Sequence, residues 1–162
     1  GIWLDPARAK ILARRAAQAL ELLDQDGAEE YRRNLQELEA RLDQLGERVA
    51  ALFQHLDERR LFFCGRPDWT WLARAQGLTQ KAVAGPMDMP SPSAQKEALL
   101  QARRCGAQYV LDRPRCGSKA ARALALRLKA EILPVDPLAR DYEDNLLAAA
   151  RRIRAALCLR FP

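Results

Sequence analysis

Histidine is almost missing from this chain: His55 is the only one among 162 residues. One imidazole cannot build a metal site alone, and at the end of a long charged helix it is expected to be a surface side chain. The four cysteines, Cys64, Cys105, Cys116 and Cys158, never stand in a CxxC or other tight spacing, so no structural zinc site is signalled. An even count permits two disulfides in an oxidising compartment. No apolar run approaches the length of a membrane span. No secretory leader is present. The chain opens in mid-motif at Gly1-Ile2-Trp3, however, and so reads as a piece of a longer protein, for which a missing leader says nothing about compartment. No glycine-rich phosphate loop, nucleophile–base pair or paired catalytic carboxylates can be found, which argues against an enzyme. Aromatic residues make up 6% and are thinly interleaved with basic ones. The formal charge is +6, but acidic residues alternate with the arginines, and Arg103-Arg104 and Arg151-Arg152 are only short pairs on predicted helices. Solvated helix faces are expected, not a nucleic-acid footprint.

What is present is a globular balance, 49% apolar and 30% charged, in a chain long enough for one domain with a real core. Its organising stretch runs from Glu29 to about Leu56. Tyr31, Leu35, Leu38, Leu42, Leu45, Val49, Leu52 and Leu56 are spaced alternately four and three apart, which lines them along one stripe of a helix. That stripe is about 38 Å long at helical rise. No further heptads follow, so the pattern predicts a spine against which a domain leans more than a coiled-coil arm.

Ahead of the spine, Asp5-Pro6 reads as N-cap and first helical residue of a helix carrying Ile11, Leu12, Ala16, Leu20 and Leu23 and stopping near Asp26-Gly27. After Asp57 the pattern changes. Leu61–Cys64 is a short buried strand, Pro67–Gln76 a helix closed by Gly77, and Lys81–Ala84 a weaker strand. Gly85–Pro92 is a loop, and Ser93 caps a helix to about Arg104. Tyr109–Leu111 is a strand, Ser118 caps a helix to about Leu128, Ile132–Val135 is the fourth strand, and Arg140–Leu157 closes the chain as a helix. Short apolar strands alternating with helices predict an α/β fold: a long amphipathic spine helix leading into a four-stranded parallel sheet flanked by helices. Residues 1–57 would hold the two first helices and 58–162 the α/β lobe. Ligands of such sheets sit at the carboxyl ends of the strands, here Gly65-Arg66, the loop after Ala84, Asp112-Arg113 and Asp136.

Several motifs at those strand ends, in order, resemble the carboxyl-terminal half of the zinc and manganese solute-binding proteins that serve ABC transporters. Ile2-Trp3-Leu4-Asp5-Pro6 is similar to a His-x-Trp-Leu-Asp-Pro segment of that family. Arg66-Pro67-Asp68-Trp69-Thr70-Trp71 aligns without a gap to a segment beginning His-Asp-Ala and carrying Tyr where Trp71 stands. Pro90-Ser91-Pro92-Ser93 resembles the Pro-Ser lead into a helix, Arg113-Pro114 falls on Glu-Pro, and Asp136-Pro137-Leu138 matches Asp-Pro-Leu. The spine is similar to the long helix joining the family's two lobes. The resemblance implies one lobe of a two-lobed protein, a periplasmic or extracytoplasmic location, and, as partners, the absent amino-terminal lobe and an ABC permease; no nucleic acid is implied.

The ligand set departs from the family. Carried over position by position, its two His, its Glu and its Asp fall on Gly1, Arg66, Arg113 and Asp136, and only Asp136 keeps a metal-ligand group. A guanidinium offers donors only and stays protonated at ordinary pH. Tight binding of zinc or manganese at the inherited site is therefore expected to be lost. Two arrangements remain open: Asp136 pairs with Arg66 or Arg113, or the arginines face a cleft and receive an anion. Trp69 and Trp71 could line such a cleft or pack in the core. In the same frame, a disulfide known in some members of the family suggests Cys105 with Cys158. Cys64 and Cys116, near the arginines, could have a lowered thiol pKa. A disulfide, a soft-ion site and inert thiols are all open for that pair. The functional expectation is a solute-binding lobe with a degenerate metal site; the alternatives are capture of another solute such as an anion, or an interaction scaffold.

Overall fold

A computed structural model describes residues 1–56, 60–84 and 92–158. A 3-10 turn, Ile2–Leu4, leads into α1 (Pro6–Leu23) and the spine α2 (Ala28–Leu52). Then follow β1 (Leu61–Cys64), α3 (Thr70–Ala75), β2 (Thr79–Ala82), α4 (Pro92–Arg104), β3 (Tyr109–Asp112), α5 (Lys119–Leu128), β4 (Glu131–Pro134) and α6 (Tyr142–Ala155). The four strands form one parallel sheet, as the alternation of short strands and helices predicts, and their order across it is β2-β1-β3-β4.

Period-two alternation divides the sheet between two cores. Phe62, Cys64 and Leu111 face a layer made by Leu42, Leu45 and Val49 of α2 and Leu146, Ala150 and Ile153 of α6. Leu61, Phe63 and Val110 face α4 and α5, through Ala98, Ala102, Ala121 and Leu124. The carboxyl-terminal half of the spine is thus part of the lobe's own core. The tyrosine of α6 ties the amino-terminal turn to this layer: the Tyr142 hydroxyl donates to the Trp3 carbonyl at 2.6 Å, and the Trp3 indole donates to the Pro137 carbonyl at 3.1 Å.

Local chemistry explains most boundaries. Asp5 caps α1 by accepting from the Ala7 amide at 3.1 Å, with Pro6 at the first helical position. Ser118 caps α5 through the Ala120 and Ala121 amides. Gly77 closes α3 at a φ of +62°, which suits glycine. Several boundaries differ from expectation, among them the end of the spine, which stops at Leu52, short of Leu56. The helix expected from Pro67 starts at Thr70, whose hydroxyl donates to the Pro67 carbonyl in a turn. The second strand starts at Thr79 instead of Lys81, because pairing Leu61 with Thr79 sets its register against β1. The expected Gly85–Pro92 loop lies outside the described residues up to residue 91, and Pro92 already belongs to α4. His55 is exposed, as expected for a lone surface histidine.

The first two helices form a hairpin closed by Asp24, which accepts from the Gly27 amide at 3.1 Å and the Tyr31 hydroxyl at 2.7 Å. The surprise is which side of α1 is covered. Ala17 is buried and Ala9 and Ala13 half-buried, a run of small residues four apart that lets α1 lie close along α2. Lys10–Asp43, Arg14–Glu39 and Arg32–Glu21 ion pairs join the two helices beside that seam. The larger residues that mark α1 as apolar, Ile11, Leu12, Leu20 and Leu23, are all exposed.

Candidate functional site

The carboxyl ends of the strands meet at a crowded point. β1 runs into Gly65, where a Cβ would stand 2.5 Å from Asp112 Oδ1; a side chain there would force apart the loops after β1 and β3. Asp112 ends β3 and is only 5% exposed. Its Oδ1 accepts from the Arg113 amide at 2.9 Å and its Oδ2 from the Ser118 amide at 2.7 Å. One carboxylate thereby holds both ends of the loop from Arg113 to Ser118.

That loop presents Arg113 to the segment after β1. Its guanidinium grips Asp68 with both arms, Nε to Oδ2 at 2.7 Å and Nη2 to Oδ1 at 2.5 Å, the two-pronged geometry that suits arginine and carboxylate. The hydrogen bond to Asp68 raises the Arg113 pKa above its ordinary value, with further support from the charges of Asp68, Cys116 and Asp136. Arg113 is therefore a fixed cation. Arg66, Asp68, Trp69, Cys64, Leu111 and Val135 line the same depression, which is closed too tightly to hold a water molecule. The nitrogen of Gly1 donates to the Asp68 carbonyl at 2.7 Å. Gly1, Arg66 and Arg113, three of the positions marked as ligand seats, thus gather around Asp68.

The fourth, Asp136, follows β4. Its Oδ1 accepts from the Leu138 amide at 2.9 Å and its carbonyl from the Asn145 side chain at 2.7 Å, so it shapes the turn into α6. Its charge reaches Arg113, but of the two arginines considered as its partner, Arg66 or Arg113, the latter is held by Asp68. The reason is position. Asp68 sits on the turn that opens α3, directly across from the Arg113 loop, while Asp136 is engaged by its own turn. Trp69 is 1% exposed and belongs both to the core and to the wall of the depression. Trp71 points elsewhere: the Arg8 guanidinium lies 3.9 Å from its ring centroid and Arg74 5.5 Å, a cation–π stack on the flank of α3.

The cysteines fall into two groups. Cys105 and Cys158 are both buried free thiols, and Cys105 Sγ donates to the Ala102 carbonyl at 3.5 Å; burial first, then the neighbouring Cys105, pushes the Cys158 pKa up. Cys64 is buried and Cys116 exposed. The lowered pKa expected for a thiol near the arginines does not hold for Cys64. Burial, with Asp68 and Asp112 nearby, drives it well above the ordinary value and leaves an inert thiol. Among the described residues, no three His, Cys, Asp or Glu side chains stand together as a metal-holding group.

Sequence reasoning gave no role to the side chains of the two carboxylates that build this site. Asp112 was visible as a strand end followed by Gly and Ser, the composition of a capped turn. Asp68 carried a stronger signal. By the resemblance described above it falls where the related segment has alanine, in a chain in which Arg113 falls where that family has glutamate.

A parallel sheet whose loops converge at one end, with a long helix running out of its core, is one lobe of a solute-binding protein. The family model for ZnuA, the periplasmic component A of the zinc-uptake complex, matches residues 1–156, and the chain belongs to this family. A crystal structure of ZnuA is 30% identical, with a TM-score of 0.88 over 96% of this chain and 60% of that one. A zinc-bound ZnuA deletion mutant matches at 30% identity and a TM-score of 0.88, over 98% of this chain and 61% of that one. The laminin-binding adhesin Lmb of Streptococcus agalactiae, 23% identical, shares the fold with a TM-score of 0.84 over 96% of this chain and 61% of that one. The chain thus spans about 60% of the length of the ZnuA structures it matches. A comparison with curated protein sequences finds no match. Among the described residues, no helix is long and apolar enough to cross a membrane.

Proposed function

We propose that this chain is the carboxyl-terminal lobe of an extracytoplasmic solute-binding protein of an ABC transporter, in which the inherited zinc or manganese seat has become an internal ion pair. The observation that carries this reading is the two-armed Asp68–Arg113 bridge among positions Gly1, Arg66 and Arg113. A guanidinium about 4 Å from a divalent ion, at an effective dielectric near 20, would oppose it by about 8 kcal/mol before screening. The carboxylate of Asp68 cannot offset that, because it is already committed to Arg113. The ion pair takes over the work of a bound metal, which is to clasp the loop after β1 to the loop after β3. It also weakens the alternative of anion capture, since the Arg113 fork is filled from within.

The test is a thermal melt of the full-length protein after stripping with a chelator. No change in midpoint is expected on adding zinc. A site filled at a hundred times its Kd would add about 2.7 kcal/mol and raise the midpoint by several degrees; such a rise would overturn the reading.

An extracytoplasmic location also bears on the buried thiols. We propose that Cys105 and Cys158 join there as a disulfide, tying the end of α4 to the end of α6. Closing so long a loop should add about 2–4 kcal/mol of stability. Protein purified from an oxidising compartment should resist alkylation at both residues until reduced, and its urea midpoint should fall on reduction. Full alkylation of both under denaturing, non-reducing conditions would show that the pair stays as thiols.

A further inference from the structure

The outer layer of the lobe, made by α4 and α5, is charged unlike the rest of the chain. The two helices pack side by side on one face of the sheet through Ala98, Ala102, Ala121 and Leu124 and turn their other sides to solvent. From residue 92 to residue 129, nine lysines and arginines stand against two acidic residues, a net of +7, where the whole chain carries +6. Neither acid offsets this layer: Asp112 is buried at the end of β3, and Glu97 faces Lys81 at 3.6 Å. The solvent side also repeats one pattern. On α4, Lys96, Leu100 and Arg103 follow a four-three spacing, and Arg122, Leu126 and Lys129 follow the same spacing along α5 and its cap. Each row is a leucine bracketed by cations one helical turn away. Leu100 is 47% exposed and Leu126 is 81% exposed. Among the described residues, the ion pairs of the molecule leave the four bracketing cations without a carboxylate partner.

We propose that this face of α4 and α5 docks the protein on a phospholipid bilayer with anionic headgroups. The two leucines enter the boundary between headgroups and acyl chains, and the cations meet the phosphates around them. Charge complementarity selects an anionic occupant, and the leucines select a bilayer among anions. A phosphate backbone offers an exposed leucine nothing, whereas a bilayer offers it apolar surface beneath a charged layer. Lysine and arginine suit the same boundary, because their apolar stems lie along it while their charges stay with the headgroups. The two rows lie on neighbouring helices of one layer and so present a broad surface. No aromatic ring stands ready there to stack on bases: between residues 92 and 129 the only aromatic residue is Tyr109, which packs with the core on the opposite side of the sheet. The inference goes beyond solute binding and does not depend on what Gly1, Arg66, Arg113 and Asp136 hold.

The test is cosedimentation of the full-length protein with phosphatidylcholine vesicles, with and without about a third of phosphatidylglycerol, at low ionic strength. Binding should be at least about tenfold stronger on the anionic vesicles. Arg103→Glu combined with Arg122→Glu and Lys129→Glu should lose at least about tenfold of it. Arg48→Glu combined with Arg140→Glu and Arg151→Glu, the same change of charge at exposed positions outside this layer, should lose no more than about twofold. Leu100→Ser combined with Leu126→Ser leaves the charge unaltered and should lose at least about fivefold. No preference for anionic vesicles would overturn the proposal. Equal losses from the two charge reversals would overturn it too, since net charge and not this face would then drive binding. Full retention by the leucine variant would overturn the bilayer as occupant, and matching affinity for duplex DNA would then assign the face to nucleic acid. If the charge-reversed variant does not fold, hydroxyl-radical footprinting of the unaltered protein on anionic vesicles decides the matter: protection of Leu100 and Leu126 supports the proposal, and oxidation equal to that in solution overturns it. None of these readings involves Arg113, so they stand or fall separately from the zinc measurement.

Discussion

Arg66→His combined with Arg113→Glu, made in the full-length protein, is expected to create measurable zinc binding where the unaltered protein gives no calorimetric heat. The double substitution removes two positive charges and adds an imidazole and a carboxylate at positions that the fold holds around one depression. It also frees Asp68 from its ion pair with Arg113 to add negative potential. At about 8 kcal/mol of opposition per guanidinium before screening, even a partial recovery should exceed a hundredfold in affinity. The glutamate keeps a side chain over the same backbone, and the Asp112 carboxylate that shapes the loop is untouched. An intact circular-dichroism spectrum with no zinc heat would mean that these positions are not the seats the family uses. Either single substitution should recover much less, because one guanidinium remains.

Trp69→Ala should cost about 3–5 kcal/mol, a large part of the stability of a domain this size. The indole is fully packed and joins two functions: it fills the core beneath the sheet's carboxyl end and walls the depression next to Asp68. Its removal leaves a cavity behind the turn that carries Asp68, and the ring's neighbours, Leu72 and Leu111, are themselves buried and not free to collapse. Trp71→Ala is the control. Its half-buried ring carries a stack with Arg8 and Arg74 worth about 0.5–1 kcal/mol, so its loss should cost clearly less than that of the fully packed Trp69. Urea unfolding followed by circular dichroism separates the two. Similar losses for both would show that Trp69 is not the keystone of this end of the sheet.

The contrast between the two tryptophans shows where the sequence stops being informative. Both sit in the same segment, but only the placement of α3 beside β2 and the amino-terminal turn decides which enters the core. The leucines of α1 make the same point in reverse. Their spacing marks a buried face, yet α2 takes the alanine face, since small residues let two helix backbones approach. Helical period identifies a face without identifying what will cover it. The strand boundaries were legible to within two residues because apolar runs and their glycine ends are local signals. The register of β2 was not, because it depends on which residue of β1 lies opposite.

Charge and chemistry at the strand ends were written in the sequence alone. So were the order of strands and helices, the caps at Asp5 and Ser118, and the arginines that follow β1 and β3. These follow from residue type and short-range pattern. The tertiary structure alone decided that Arg113 closes on Asp68 rather than Asp136, that Cys105 meets Cys158, and that Cys64 is too deeply buried to be a thiolate. Each of those outcomes is a choice among partners far apart along the chain. Coulomb attraction and desolvation depend on distance and burial, which only the folded packing supplies.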